Sequence, residues 1–481
     1  MENHEQVNRL GTSKIGKLML EFAIPSIIGL VVNGLYNIID SIFLGHGVGS
    51  IGLATATIAM PIMVISMSLS ALIGTGANAL AALRLGEGKY GETEKVMGNS
   101  FTLTIILAVA VTLLINIFMD PVLVISGAGE ETWESSHTFI RIISFGFILQ
   151  FFGLGFNHFI RTAGDPKRAL YTMISGTVVC IILNYLFVMV FQWGIAGSAW
   201  ATVIGQGVTA GLVLWYFTIS KKAPFKLKPI YFRPSWRMCR AICLLGTASF
   251  VLQIAAAIIG VIINNQLSRY GALSPIGAAG ALAGIGVVQR VATFAFFPVL
   301  GVGIAIQPIL GYNYGSRNYG RVKTAFNVAL LWATAFGLFF WLLIHIFPTQ
   351  IVYLFGIKDS LEEFTIIAMQ VQLFFMPLVG LQALVGNYFQ SSGQPLRAMF
   401  VSMTRQLLYL IPLLYILPLL ASNSLFLSGV SPLEAIYYTY PIADVLSLIT
   451  AGTMMLVEIR KLNAKIRLDA DKNEKLNAAD V

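Results

Sequence analysis

Charged residues are scarce in this chain. Of its 481 residues only 11% are Asp, Glu, Lys or Arg, whereas 57% are hydrophobic. An average soluble domain carries about 25% charged residues. A chain of this length could not cover its surface with so few charges in water, so the composition excludes an ordinary soluble protein and predicts that lipid surrounds most of it.

Cysteine and enzyme motifs are also nearly absent. The three cysteines Cys180, Cys239 and Cys243 give no disulfide framework, and no His or second Cys pair turns the last two into a metal site. The sequence has no Walker lysine loop, no His-Glu-x-x-His and no Gly-x-Ser-x-Gly. We therefore expect that the protein is not an enzyme. We also expect that a gradient across the membrane drives its transport, unless a partner chain hydrolyses ATP. The net charge of +9 is not gathered into a stripe, so nucleic acid is not an expected partner.

Long apolar runs are what the chain has instead. Runs of about 20 such residues predict membrane-spanning helices. We predict twelve, at about 18–45, 51–83, 96–119, 136–160, 169–191, 195–220, 241–268, 277–311, 324–347, 363–389, 397–420 and 434–458. The preceding segment Met1–Lys17 is polar and has no cleavage signature, so we expect the first helix to be retained.

The Lys and Arg residues indicate the orientation of these spans. With loops alternating between the two sides, 26 of the 31 basic residues fall on one side and only Arg269 and Lys358 fall on the other. The positive-inside rule then places both termini in the cytoplasm of a multi-pass membrane protein. The basic segment 221–240 is expected to be a cytoplasmic linker near anionic lipid.

The chain repeats itself at an interval of 229 residues. Gly86 after the second span corresponds to Gly315 after the eighth, and Gly164 after the fourth corresponds to Gly393 after the tenth. Six spans per half is an even number, so the two halves are parallel repeats. We predict an all-α membrane protein with two pseudo-symmetric six-helix lobes that work by alternating access. The predicted parts are an N-terminus at 1–17, an N-lobe at 18–220, a linker at 221–240, a C-lobe at 241–458 and a cytoplasmic tail at 459–481.

Asp40, in the first span, is the strongest candidate for function. A carboxylate in a spanning segment costs about 2.5–3.5 kcal/mol on insertion scales, so an acid there indicates a functional site. Asn33, Asn37 and Asp40 are spaced four and three apart and share one helical face. The alternative is an interfacial acid. Asp40 lies about 27 Å along the helix from Phe22 at ~1.5 Å per residue, close to the outer end of a ~30 Å hydrocarbon core.

A second group of polar residues lies in the twelfth span. Glu434, Tyr437 and Asp444 recur at helical spacing and would suit a second cation site. We favour instead an ion pair between Asp444 and one of the intramembrane bases Arg290 and Arg405, because a buried base needs a partner.

Five sequence runs resemble one family. They are Asn37-Ile-Ile-Asp-Ser-Ile-Phe-Leu-Gly45, Arg161-Thr-Ala-Gly-Asp-Pro166, Gly194-Ile-Ala-Gly-Ser-Ala-Trp-Ala-Thr-Val-Ile-Gly-Gln206, Gln307-Pro-Ile-Leu-Gly-Tyr-Asn-Tyr-Gly315 and Tyr440-Pro-Ile-Ala-Asp444. In them the chain resembles the multidrug and toxic compound extrusion (MATE) transporters, most closely their MepA-like bacterial branch. The resemblance covers about residues 15–460, and the run ending at Gly315 is its most specific part.

The resemblance implies a cation-coupled antiporter of the bacterial cytoplasmic membrane. It would export amphipathic, often cationic, organic compounds in exchange for H⁺ or Na⁺. Its expected partners are these drugs and the lipid bilayer, with no cofactor beyond the coupling ion, and a monomer is expected. The resemblance implies that Asp40 is the coupling-ion site, and we expect Asn33, Tyr36, Asn37 and Asn184 to complete the coupling-ion and substrate site around it.

The chain departs from the family pattern at two positions. The family often has an aspartate in span five where this chain has Asn184, and some members have a glutamate early in span seven where the nearest residue is Gln253. An amide cannot take up a proton at physiological pH, but it can hydrogen-bond or coordinate Na⁺. We therefore expect Asn184 to assist Asp40, and both to ligate the metal ion if coupling is to Na⁺.

Amides and methionines supply secondary candidates. Asn157 and Gln307 are among several intraspan amides that could contact substrate, although such groups more often join helices with hydrogen bonds of about 0.6 kcal/mol. The sixteen methionines suit a compliant drug cavity and equally suit lipid contact. Two other functions stay open: a flippase for lipid-linked precursors of the same superfamily, and a membrane scaffold that transports nothing.

Overall fold

The computed structural model describes residues 2–357, 360–422 and 429–479, and these residues are almost entirely helical, with no strand among them. The helices are α1 (Glu2–Thr12), α2 (Ile15–Gly47), α3 (Ser50–Gly86), α4 (Tyr90–Ile117), α5 (Met119–Ile125), α6 (Glu130–Thr162), α7 (Pro166–Asn184), α8 (Gly194–Thr218), α9 (Trp236–Gly271), α10 (Gly277–Gly315), α11 (Tyr319–Ile346), α12 (Pro348–Leu354), α13 (Ser360–Gln372), α14 (Met376–Ser391), α15 (Pro395–Met403), α16 (Ile411–Ser422) and α17 (Pro432–Ala479). Two π-helical segments, Tyr185–Val190 and Thr404–Leu410, continue α7 and α15.

The membrane-spanning helices agree with the sequence pattern. Among the described residues eleven helical stretches are long and apolar enough to cross a bilayer, and α13 with α14, bent by 46°, brings the number to twelve. The bend comes just before Pro377 in the first turn of α14. Proline has no N–H and cannot continue the preceding hydrogen-bond ladder. The prediction of a multi-pass, all-α membrane protein is confirmed. Lys358, expected on the outer side, lies outside the described residues.

Contacts divide the chain into two compact units. Unit 1 comprises Met1–Phe250, Gln307–Arg317 and Gln390–Pro395, and unit 2 comprises Val251–Ile306, Asn318–Phe389 and Leu396–Val481. Each unit has its own buried core, which includes phenylalanines such as Phe156 and Phe159 in unit 1 and aliphatic residues such as Ile263 and Leu267 in unit 2. The lobe boundaries predicted at 220 and 241 stay a prediction.

The 229-residue repeat is also present in the backbone conformation. Gly164 and Gly393 have φ values of 86° and 75°, and Gly88 at 74° corresponds to Arg317 at 58°. In each pair, the two residues occupy the same position in the turn after corresponding helices, and both have a left-handed backbone conformation. At Arg317 the conformation is held by an L-residue, which pays a steric cost that glycine does not.

Arg317→Gly is expected to stabilise the protein by about 0.5–1 kcal/mol. The left-handed conformation costs an L-residue roughly 1–2 kcal/mol, and the greater freedom of glycine in the unfolded chain offsets part of the gain. The measurement is the Tm of the purified protein in detergent. Arg317→Ala, which removes the charge and keeps the strain, should not raise the Tm. A glycine variant that melts no higher than the alanine variant would contradict this assignment.

The N-terminal helix α1 packs onto unit 1. Val7 and Leu10 are fully buried, Asn313 Nδ2 donates to the Leu10 carbonyl at 2.9 Å, and Arg9 pairs with Glu21 at 2.6 Å. The sequence indicated only that this segment is polar. Its position depends on contacts with residues some 300 positions away, which no local pattern displays.

The basic linker is held against α4 by specific contacts. The Glu94 carboxylate accepts from the Lys226 backbone N–H at 3.1 Å and pairs with Lys228 Nζ at 2.7 Å. The hydrogen bond with Glu94 raises the pKa of Lys228. The Phe232 ring stacks on Phe101 with centroids 4.5 Å apart. The Glu94 carboxylate and the Phe101–Phe232 ring pair therefore hold the linker on α4, in addition to any attraction to anionic lipid.

Candidate functional site

Helices α2, α7 and α8 bring the first predicted site together. Asp40, near the end of α2, accepts hydrogen bonds on Oδ1 from Asn184 Nδ2 and from Ser198 Oγ, the latter at 3.1 Å. Asn184 ends α7 and Ser198 lies early in α8, and both are fully buried. The Asp40 carboxylate is itself partly buried. It is therefore turned toward two neighbouring helices of unit 1.

Glycines allow α7 and α8 to approach closely enough to make this site. A Cβ at Gly205 would lie 2.6 Å from the Cys180 Cβ and 2.8 Å from the Gly176 carbonyl oxygen. Small residues at such crossings are how membrane helices pack tightly. The π-helical segment Tyr185–Val190 then begins directly after Asn184, and π-helical turns are frequent at functional sites.

Tyr36 makes a second polar contact one turn before Asp40 on α2. Its hydroxyl hydrogen-bonds Thr202 Oγ1 at 3.0 Å and accepts from Cys180 Sγ at 3.3 Å. Thr202 lies one turn after Ser198 on α8, and Cys180 one turn before Asn184 on α7. The same three helices are thus joined twice, at Asp40 and at Tyr36.

A cavity of about 150 Å³ opens beside these contacts in unit 1. Asn33, Tyr36 and Asn37 line it, and Asp40 lies just beyond the lining, one turn further along α2. The rest of the lining includes the methionines Met63, Met67 and Met173 and the amides Gln150 and Gln206. No charged side chain of the described residues lines it. Such a lining suits an apolar ligand with a few polar groups, and the volume is below the ~300–1,000 Å³ of pockets that hold drug-sized molecules.

The polar side chains of the cavity differ in how well they are satisfied. Asn37 Nδ2 donates to the Asn33 carbonyl of its own helix at 2.8 Å. Gln150 accepts from Ser66 Oγ at 2.9 Å. Gln206 Oε1 is buried and has no hydrogen-bond partner among the described residues. Gln206 is therefore the cavity group that a ligand donor would satisfy.

The Asp444 ion pair forms with Arg405. Arg405 Nε lies 2.6 Å from Asp444 Oδ1, and Asp444 is only 2% exposed. Arg290, the other base considered, has an exposed side chain and takes part in none of the ion pairs of the described residues, which corrects its assignment as a buried base. Its neighbour Gln289 points inward instead and donates to the Tyr440 hydroxyl at 2.9 Å, because adjacent helical residues diverge by about 100°.

The other residues of span twelve do not form a cation site with Asp444. Glu434 accepts from the Ser431 N–H at 2.8 Å and its own N–H donates to Ser431 Oγ at 3.2 Å. This is a capping box at the start of α17. Tyr437 is 3% exposed and packs against the Phe364 ring.

The two amides considered as secondary candidates both join segments of unit 1. Asn157 Nδ2 donates to Thr172 Oγ1 at 2.9 Å, between α6 and α7. Gln307 Nε2 donates to Gln390 Oε1 at 3.2 Å. Neither lines the cavity of unit 1.

Sequence reasoning missed the small polar partners Cys180, Ser198 and Thr202. A signal was available, because Cys180 and Asn184 are four residues apart, as are Ser198 and Thr202. Each pair therefore shares a helical face. Small polar residues are common in membrane helices as packing groups, so the spacing alone does not mark them as ligands.

Oxygen atoms at the site could hold a small cation. No group of three or more His, Cys, Asp or Glu suited to a metal occurs in the described part of the chain. A sodium ion would instead need Asp40 together with neutral oxygens. Asn184 Oδ1 is buried and has no partner among the described residues, and Ser198 Oγ is within reach of Asp40. This donor set fits a hard monovalent cation, which prefers oxygen ligands.

Comparison with known proteins identifies the family. Residues 25–186 and 248–416 match the MatE family model, one segment in each half of the chain. The chain belongs to the MatE family. The MATE resemblance carried by the sequence runs is thereby confirmed, and with it the expectation of a transporter fold.

Curated MATE relatives match the chain over nearly its whole length. The chain is 24% identical over 476 residues to the multidrug export protein MepA of Staphylococcus saprophyticus, covering 98% of this chain and 99% of that protein. It is 25% identical over 429 residues to MepA of Staphylococcus aureus strain MRSA252, covering 89% and 91%. These relatives are named as export proteins and not as enzymes.

Solved MATE structures share the fold. A MATE family multidrug resistance transporter of the MOP superfamily, solved in an outward-facing conformation, matches with a TM-score of 0.86 at 23% identity, covering 95% of this chain and 98% of that one. A MOP superfamily transporter from Pyrococcus furiosus matches with a TM-score of 0.85 at 23% identity and the same coverage. At this identity the likeness establishes the helical fold.

Proposed function

We propose that the protein is a cation-coupled multidrug efflux antiporter of the bacterial cytoplasmic membrane, with both termini in the cytoplasm. It exports amphipathic, often cationic, organic compounds in exchange for H⁺ or Na⁺. The observation that carries the proposal is the Asp40 carboxylate, bonded to Asn184 and Ser198 at the edge of a methionine-lined cavity. The names of the staphylococcal relatives support the export of drugs.

The coupling ion acts on the hydrogen bonds between α2 and α7. Ionised Asp40 accepts from the Asn184 amide N–H and from Ser198. A protonated carboxyl has an O–H to donate, and Asn184 has an unpartnered oxygen that would accept it after a half-turn of the amide. A sodium ion would be held by an oxygen of the Asp40 carboxylate and the Asn184 amide oxygen. Either ion therefore replaces one set of bonds between the helices by another.

The drug and the ion compete through charge. The cavity walls are methionines and amides, which adapt to many apolar shapes. Asp40 supplies the nearest negative charge along α2, one turn from the lining. A cationic drug is stabilised by that charge while it is free and loses the attraction when H⁺ or Na⁺ neutralises it. Competition of this kind makes export depend on ion entry, with the protein alternating between forms open to either side.

The experiment that tests this function is transport by purified protein in liposomes with one gradient at a time. Ethidium is the cationic dye, and a pH gradient or a Na⁺ gradient is imposed separately. We expect uphill ethidium movement with one of the two gradients, abolished by the matching ionophore. Ethidium movement that neither gradient drives would contradict the proposal, and movement of a fluorescent lipid-linked precursor would favour the flippase.

A further inference from the structure

We propose that unit 2 holds a binding site for an amphipathic anion, in the cavity beside Arg405. This cavity has a volume of about 300 Å³ and is lined by α9, α10, the π-helical segment Thr404–Leu410 and α17. All of its lining residues belong to unit 2. Its volume is within the range of pockets that hold small molecules, at about 300–1,000 Å³.

Arg405 gives the cavity a positive wall. Its Nε is engaged by Asp444 at 2.6 Å, and no other described side chain accepts a hydrogen bond from it. Asp444 is 2% exposed and does not line the cavity, whereas the Arg405 side chain is 19% exposed and lines it. A guanidinium has five N–H donors, so Nη1 and Nη2 remain for a ligand.

The remaining lining selects a ligand with one polar end. No acidic side chain of the described residues lines the cavity. Asn264 and Gln289 line the cavity as neutral groups, and Gln406 Oε1 is buried and has no partner among the described residues. The other walls are aliphatic, with Ile263 and Leu282 among them. A carboxylate or phosphate against Arg405, with an apolar body along these walls, matches the positive charge and the aliphatic lining.

The backbone around Arg405 is unusual in the same way as that beside Asn184. Arg405 and Gln406 lie in a π-helical segment, as do the residues that follow Asn184 in unit 1. Such wide turns are rare and occur most often at functional sites. The charged residue at the two cavities differs in sign, since unit 1 has the acid Asp40 beside its cavity and unit 2 has the base Arg405 in the lining of its cavity. The cavity of unit 2 accordingly binds anions, which are either free amphipathic carboxylates or anionic lipids.

Equilibrium binding to the purified full-length protein in neutral detergent tests the site without requiring export. The probe is 11-(dansylamino)undecanoic acid, and the matched control is the same dansyl chain ending in trimethylammonium. We expect the acid to bind at least ~10-fold more tightly, because hydrogen bonds to charged groups are the strong ones. In Arg405→Gln/Asp444→Asn this preference should be lost. The double substitution is used because removing Arg405 alone would leave a buried charge unpaired.

A second variant keeps the proposal testable if the double variant fails to fold. Gly260 lines the cavity, and a Cβ added there meets nothing within 4 Å. Gly260→Leu should therefore fill the cavity and abolish binding of the acid. Gly452→Leu, equally free of contacts and outside the lining, should bind as the wild type does.

The outcomes separate cleanly. The proposal would be overturned by any of three results. These are equal affinity of the wild type for the acid and the cation, a preference for the acid that survives in the double variant, and unchanged binding of the acid in Gly260→Leu. Nanodiscs of phosphatidylglycerol or phosphatidylcholine then identify the source of the anion. If the probe binds more weakly in phosphatidylglycerol nanodiscs than in phosphatidylcholine nanodiscs, the site binds anionic lipid. If the probe binds equally in both, the site binds free amphipathic carboxylates.

Discussion

Export of ethidium should fall at least ~10-fold when Asp40 is replaced by asparagine. The variant keeps the size of the side chain and removes both the negative charge and the proton acceptor, so neither ion nor cationic drug is held. A loss of one charge-assisted hydrogen bond alone is worth about 1.5–3 kcal/mol, which is tenfold or more in an equilibrium. The measurement is dye export from energised cells or inverted vesicles.

Ser41→Ala is the matched control for Asp40→Asn. Ser41 is the next residue of α2, is exposed, and donates only to the Asn37 carbonyl of its own helix. Its loss should leave export near the wild-type rate. If Asp40→Asn exported at the full rate, and if collapsing the ion gradient still stopped that export, Asp40 would have no role in coupling.

Asn184→Leu should reduce export about as strongly as Asp40→Asn. Leucine has the same number of side-chain heavy atoms and the same branching as asparagine, but it withdraws the Asn184 hydrogen bond from Asp40 and removes the unpartnered oxygen that would accept a proton or Na⁺. Asp40 would then keep only Ser198 as a partner. Leaving a buried polar group unsatisfied costs about 1–3 kcal/mol. Export is measured across a series of external pH values.

Asn184→Asp separates the chemistry of this position from its packing. Two carboxylates that face each other can share one proton, which replaces the amide hydrogen bond. We expect this variant to export at acidic external pH, where the leucine variant does not. A leucine variant as active as the wild type at every pH would show that Asn184 only fills space.

The membrane architecture was predictable because lipid restricts the choices. A bilayer core of ~30 Å requires about 20 apolar residues per helix, so span number and approximate bounds follow from the runs. The bend between α13 and α14 was not predicted, since Pro377 permits a bend without fixing its angle. The docking of α1 and of the linker was not predicted either, because it depends on single contacts such as those of Leu10 and Glu94.

The site was predictable in part. Asp40 was identified from the cost of its charge, and Asn184 from the resemblance at span five. Ser198 was missed because a small hydroxyl side chain is ordinary in a membrane helix. The choice between Arg290 and Arg405 needed the structure. Arg405 lies in a π-helical segment, where the 3.6-residue period used to assign faces does not apply.

The coupling role of Asp40 is tested most sharply by asking whether binding of a drug expels an ion from its carboxylate. Saturating ethidium is added to purified protein in weakly buffered detergent, and released protons are read with a pH indicator and released Na⁺ with a radioactive tracer. We expect release of one of the two ions by the wild type, near one per molecule, and none by Asp40→Asn. Equal release by the two proteins would contradict this coupling role.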